Sequence, residues 1–265
     1  MNYIVIGGDE RYAQLARLLK ERGRRVGIWG REALPGVPAV EEVALKEANC
    51  LIAGCPARMR DGALSPETLL KRMSLGAKLV LCGPGHSDTE DDRVVDLWMD
   101  EALISENAGL TAEGAISAAM RASSRALRDM RCLVVGWGRI GRALTDRLVA
   151  LNTSVAVASR RAQGRNGAVE RGAEAVDTGT IGNSVSGFGL IFNTVPEFVL
   201  NEAVLSRVDR NAMIIDLASP PYGVDLHAAW KLGLRAWREP GVPGRYCPES
   251  AALALLRAME RHGIL

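Results

Sequence analysis

The residues with the clearest chemical meaning are Gly136-Trp137-Gly138-Arg139-Ile140-Gly141, which follow the apolar run Leu133-Val134-Val135 without a break. A strand, a glycine turn and a helix start in this order form the cradle for a dinucleotide pyrophosphate. The first glycine permits the tight turn and the second lets the backbone approach the phosphates. The third lets the helix pack against its strand, and the first helical amides, from Arg139, Ile140 and Gly141, point at the anion. The flanks agree, because Ala143 to Leu151 reads as an amphipathic helix and Val155 to Ala158 as the next buried strand.

The end of that second strand bears on which dinucleotide is bound. An NAD site places a carboxylate there to hold the ribose 2′-hydroxyl. This chain has Ser159-Arg160-Arg161 instead. A hydroxyl and guanidinium groups suit a 2′-phosphate, which a carboxylate would repel. The expected coenzyme is therefore NADP. The competing reading is that Arg160 and Arg161 only open a solvated helix.

Positioning such a site requires a parallel α/β framework, and the hydrophobic pattern supplies it. Tyr3 to Ile6, Arg25 to Trp29, Leu51 to Gly54 and Lys78 to Cys82 read as strands, with helices at Tyr12 to Arg22 and Pro66 to Leu75. After the glycine turn, strands recur at Leu190 to Phe192, Met213 to Asp216 and Leu234 to Ala236. The expected fold class is α/β, with two Rossmann-like domains whose sheets are parallel, the second of them a doubly wound dinucleotide-binding domain. The expected boundaries are 1–110 for the first domain, 111–129 for a long interdomain helix capped at Thr111, and 130–247 for the NADP domain. An amphipathic helix at 248–262 is expected to pack back on the first domain.

Ligands of such sheets lie at the carboxyl ends of the strands. In the second domain these ends are Asn193-Thr194-Val195-Pro196 and Asp216-Leu217-Ala218-Ser219, so Asn193, Thr194, Val195, Pro196, Asp216, Ala218 and Ser219 join the candidate coenzyme site. In the first domain they are Gly7-Gly8-Asp9 and Cys82-Gly83-Pro84-Gly85-His86. An Asp at a helix start opposes phosphate, so the first domain is expected to bind something else. Two such domains facing across a cleft would set a small substrate beside the nicotinamide.

Composition excludes several classes. The 33 Lys and Arg nearly balance the 31 Asp and Glu, and no block of like charge marks a nucleic-acid tail or a membrane patch. No secretory pattern opens the chain and no apolar run approaches a membrane span, so a soluble, cytoplasmic protein is expected. Five cysteines with no CxxC pair, at Cys50, Cys55, Cys82, Cys132 and Cys247, argue against a disulfide framework or a metal site. Only Cys247, in a Gly/Pro-rich stretch, falls near a candidate site.

Several runs together resemble the dipicolinate synthase A subunits of spore-forming bacteria. They are Gly7-Gly8-Asp9 with Arg11, Glu106-Asn107, Leu110-Thr111-Ala112-Glu113-Gly114-Ala115, the Gly136 turn, Phe192 to Pro196, Asp216-Leu217-Ala218-Ser219-Pro220-Pro221-Tyr222-Gly223-Val224-Asp225, and Pro240-Gly241 followed by Pro248. The likeness runs from end to end. It departs at Tyr12, where a Gln is expected, and between Pro240 and Pro248. It implies NADP-linked dehydrogenation of a dihydrodipicolinate-type dicarboxylate, or of its hydrated precursor after loss of water, to dipicolinate. It also implies a hetero-oligomer with the flavoprotein-like B subunit of dipicolinate synthase and a place in the mother cell of a sporulating bacterium. Homo-oligomerisation is left open.

For that chemistry Arg11 is the first choice as a carboxylate fork, with a solvated Arg as its alternative. Asp9, Glu106 and Glu113 are candidates for proton transfer or for orienting Arg11, although an Asp at a helix start is commonly a cap. Asn107 and Thr111 are candidates to hydrogen-bond substrate or nicotinamide. His86 stands at a strand end, Tyr222 offers a phenol or packs under the prolines, and His262 is set aside. Two other readings stay open. One is a non-catalytic NADP-binding subunit that serves a catalytic partner. The other is a D-2-hydroxyacid dehydrogenase, which would want an Arg after the Asp216 strand and a later acid-base His, where this chain offers only His227.

Overall fold

The computed structural model describes residues 2–54, 58–59, 62–83 and 90–265, with backbone alone at 58–59 and 62–63. Cys55, Pro84, Gly85 and His86 lie outside the described residues. The chain divides into two compact units, 1–107 with 243–265 and 108–242.

The first unit begins β1 (Asn2–Ile6), α1 (Glu10–Glu21), β2 (Arg25–Trp29) and β3 (Cys50–Ala53). A small antiparallel ribbon, β4 (Arg58–Met59) with β5 (Gly62–Ala63), precedes α2 (Pro66–Arg72), β6 (Lys78–Leu81) and β7 (Val94–Asp96). The five other strands form a parallel sheet in the order β2-β1-β3-β6-β7. Its topological switch point lies between β1 and β3, the arrangement of flavodoxin-like sheets. Both faces are covered, so the strands read as apolar runs rather than alternating ones. Tyr3, Val5 and Ile52 face one core and Ile4, Ile6 and Leu51 the other.

The helix between the halves differs from the expected 111–129. It is α3, Glu101–Ala122, and Leu127–Asp129 is a separate short turn. Asp100 begins it, accepting a hydrogen bond from the Leu103 amide at 2.9 Å. Thr111 is thus a buried mid-helix residue and caps nothing. The helix passes Gly109 and Gly114 because burial of its small stripe, Ala112, Ala115 and Ala119, outweighs their propensity cost.

The second unit continues with β8 (Arg131–Val135), α4 (Arg139–Ala150), β9 (Ser154–Ala158), α5 (Ala162–Glu170), β10 (Glu174–Val176), β11 (Leu190–Asn193), α6 (Glu202–Leu205), β12 (Met213–Asp216), α7 (Leu226–Lys231) and β13 (Arg235–Arg238). All six strands are parallel, in the order β10-β9-β8-β11-β12-β13. This is the doubly wound dinucleotide-binding order, with its switch point between β8 and β11. The Gly/Pro-rich stretch before Cys247 contains a short helix, α8 (Val242–Tyr246). The chain then returns to the first unit as α9 (Pro248–Arg261), whose Leu255, Leu256 and Met259 share a core with Leu15 and Leu19 of α1. Arg261 grips Asp100 through two hydrogen bonds, at 2.9 and 3.0 Å, and holds its carboxyl down to about 2.

Among the described residues no helix is long and apolar enough to cross a membrane. Burial pushes the thiols of Cys50 and Cys132 up to about 12, which leaves them protonated and unreactive at neutral pH.

Candidate functional site

The glycine turn of the second unit has the geometry a pyrophosphate needs. Gly136 has φ of +107°, and a side chain there would strike Thr194 and Val195. A Cβ on Gly141 would collide with the Gly136 carbonyl. Gly138, in contrast, has nothing within 4 Å of where its Cβ would be. It begins α4, and no side chain caps that helix start. Thr194 anchors the turn from β11, donating its hydroxyl to the Val135 carbonyl at 2.9 Å.

A cleft of about 420 Å³ opens over this turn, lined by Gly136, Gly138, Ser159, Arg160, Arg161 and Val195 from the expected set. Its walls also include Trp137 of the motif itself, and Arg142, Gln163, Gly164, Thr178, Glu197 and Val199, none of them a candidate site residue. Trp137 and Ser159 explain the glycines of α5. A Cβ at Gly167 would stand about 3.0 Å from the indole of Trp137, and one at Gly164 would strike the Ser159 hydroxyl and stand about 3.0 Å from the Trp137 Cβ. Arg171 lies over its ring, 5.3 Å from the centroid.

The tip of β9 is braced by Arg165, another residue the sequence reading passed over. Its Nη1 donates to the carbonyls of Ser159 and Arg160 at 2.9 Å each and pairs with Asp177 at 2.8 Å. It stands six and five positions beyond the carbonyls it holds, a spacing that no sequence motif marks. Arg161 N-caps α5, and Arg160 projects to an ion pair with Glu197 at 3.2 Å.

Two expected coenzyme contacts have another role. Asn193 and Asp216, at the ends of adjacent strands, are buried and joined by a 2.8 Å hydrogen bond from Asn193 Nδ2 to Asp216 Oδ1. Asn193 also donates to the Val195 carbonyl, and Asp216 accepts the amides of Ala218 and Gly223. Their polar atoms are satisfied by protein, so they position the two strand-end loops instead of facing the cleft. Arg139, Ile140, Gly141, Thr194, Pro196, Ala218 and Ser219 also lie outside the cleft lining. Beyond the double proline, Tyr222 takes φ of +71° and its ring carries the Arg238 guanidinium at 3.8 Å. His227 stacks on Trp230 within α7.

In the first unit the corresponding turn is closed by protein. The Asp9 carboxylate caps α1 by accepting the Arg11 amide, and takes the Arg11 guanidinium in two 2.8 Å hydrogen bonds. Arg31, from the end of β2, donates to the Asp9 carbonyl at 2.9 Å. Gly244 of α8 lies against the Asp9 carboxylate, where any Cβ would collide. A Cβ on Gly8 would strike the Tyr12 ring, and Tyr12 donates its hydroxyl to the Cys82 carbonyl at 3.1 Å. Arg11 is thus oriented by Asp9. The other two carboxylates offered for that task are elsewhere: Glu106 pairs with Arg257, and Glu113 with Arg147 at 2.8 Å. Asn107 and Thr111 lie one turn apart on α3, with Thr111 buried.

Among the described residues no group of three His, Cys, Asp or Glu is placed to hold a metal ion.

Residues 103–220 match the family described as D-isomer specific 2-hydroxyacid dehydrogenase, NAD binding domain. The match supports a nicotinamide dinucleotide as the cofactor of the second unit. In fold the chain is similar to crystal structures of the dipicolinate synthase A subunit from Bacillus halodurans and of the dipicolinate synthase A chain from Bacillus subtilis. The first has a TM-score of 0.84 at 22% identity, covering 98% of this chain and 97% of that one. The second has a TM-score of 0.81 at 23% identity, covering 100% and 96%. In sequence the chain is 26% identical to the dipicolinate synthase A subunit of Bacillus subtilis strain 168, over 97% of its own length and 94% of the relative's. Over nearly its whole length, then, this chain is similar to the dipicolinate synthase A subunits, the likeness that its strand-end motifs carry.

Proposed function

We propose that this chain is the NADP-dependent dehydrogenase subunit of a dipicolinate synthase, acting on a dihydrodipicolinate-type dicarboxylate or its hydrated precursor, in the cytoplasm of the mother cell and together with the B subunit. The observation that carries the coenzyme half of this reading is the open Gly138 cradle in one cleft with Ser159, Arg160 and Arg161. The substrate half rests on the end-to-end likeness to the A subunits.

When bound, the oxidised nicotinamide accepts a hydride. The dihydro ring gives up that hydride and one proton and becomes an aromatic pyridine, so the protein's task is mainly alignment and charge placement. In this reading Arg11, held by Asp9, meets a substrate carboxylate, and Asn107 and Thr111 contribute hydrogen bonds from α3. Gly136, Gly138 and the first amides of α4, from Arg139 to Gly141, hold the pyrophosphate, while Ser159, Arg160 and Arg161 hold the 2′-phosphate.

A second reading is favoured by one observation. The three carboxylates offered as proton acceptors, Asp9, Glu106 and Glu113, are each engaged by an arginine of this chain. In that reading the chain presents NADP to a catalytic partner.

The test is the purified chain supplied with dihydrodipicolinate and NADP, followed by the absorbance of NADPH and of the pyridine product. Turnover by the chain alone supports the first reading. Product only when the B subunit is added supports the second. Calorimetry should show NADPH bound at least about tenfold more tightly than NADH, with the preference lost in Arg160→Ala.

A further inference from the structure

Arg160 and Glu197 reach each other from opposite walls of the coenzyme cleft. Arg160 follows β9 and Glu197 follows β11, both line the cleft, and Arg160 Nη1 donates to Glu197 Oε2 at 3.2 Å. The two side chains are 71% and 59% exposed. An ion pair this open to water is weak, so a stronger anion exchanges it readily. The backbone under Arg160, in contrast, is pinned by Arg165, which is itself held by Asp177. The guanidinium can therefore change partner while its loop stays in place.

We infer that Glu197 is a specificity-determining residue: its carboxylate occupies the place on Arg160 that a coenzyme's 2′-phosphate takes, so the pair is a clasp across the cleft. This rests on the NADP reading above. A phosphate monoester carries between about one and a half and two negative charges and three acceptor oxygens, against one charge for the carboxylate. It displaces Glu197 from Arg160. A 2′-hydroxyl does not, and leaves the clasp closed. Glu197 thereby weakens NADPH binding and leaves NADH binding unaffected. No covalent step is involved.

The test is calorimetric titration of NADPH and of NADH into the wild type, Glu197→Gln, Arg160→Ala and the double variant. Both side chains are exposed, so all four proteins should fold alike. Glu197→Gln should tighten NADPH about three- to fivefold, the scale of an exposed pair, and leave NADH within about twofold. In the Arg160→Ala background the same change should give no gain.

If Glu197→Gln leaves NADPH affinity unchanged while Arg160→Ala weakens it, the clasp is wrong and the NADP reading stands. A gain that persists without Arg160 would mean a general charge effect and would equally overturn the clasp. Equal wild-type affinities for the two coenzymes, with no effect of Arg160→Ala, would overturn the NADP reading and the clasp with it.

Discussion

The two units place the same kind of crevice, at the switch point of a parallel sheet, under opposite conditions. Between β8 and β11 the turn is held from behind by Thr194, Gly138 faces open space, and no side chain caps α4. Between β1 and β3 the turn is filled from the front. Asp9 caps α1, Arg11 closes on Asp9, and the Tyr12 ring lies under Gly8. Glycine alone does not make a dinucleotide site. What matters is whether the amides after the turn are left for a ligand or taken by a side chain of the same chain.

The sharpest test of that contrast compares the two acidic strand-end residues. Asp216→Ala should cost about 3–5 kcal/mol in urea unfolding, because it strands a buried Asn193 amide group and two backbone amides. Asp9→Ala removes a part-exposed cap and should cost about 1 kcal/mol, while weakening any function of Arg11. Equal costs would remove the distinction between a buried network and a surface cap.

Gly138→Ala should lower dinucleotide affinity about tenfold by crowding the phosphates, with stability unchanged within about 0.5 kcal/mol since nothing neighbours the new methyl. The same titration should give one dinucleotide per chain, and two would break the comparison. In the first unit, Tyr12→Phe should cost about 1 kcal/mol by losing the bond to the Cys82 carbonyl, with coenzyme affinity unaltered.

The smallest effect is acid-dependent. The Arg261 guanidinium beside Asp100 lowers its carboxyl from 3.8 to about 2, so the contribution is complete above the higher value and disappears as pH falls through the lower one. Urea midpoints of the wild type and Asp100→Asn should therefore differ at neutral pH and converge by about pH 2. A constant difference across that range would detach Asp100 from the acid sensitivity of the first unit.

Much of the fold is legible locally. Buried strands such as Ile4 to Ile6 and Leu133 to Val135 are apolar runs ended by glycine, and parallel sheets covered on both faces produce that signal. The helix between the halves was less legible. Thr111 looks like a cap in sequence, whereas the actual start is fixed at Asp100, and burial of an alanine stripe carries the helix through two glycines. The site divides the same way. The Gly136 turn follows from the chain's own glycine spacing, but Arg165 and Glu197 come to Arg160 from five and thirty-seven residues away.

By itself, the sequence determined a parallel α/β protein with a dinucleotide cradle at Gly136, because glycine turns and strand runs are local properties. Only the tertiary structure decided which polar strand-end residues face the cleft and which are spent internally. Asn193 and Asp216 look like ligands in one dimension. They become structure when adjacent strands bring them to 2.8 Å in a buried site, where each polar atom must find a partner in the protein.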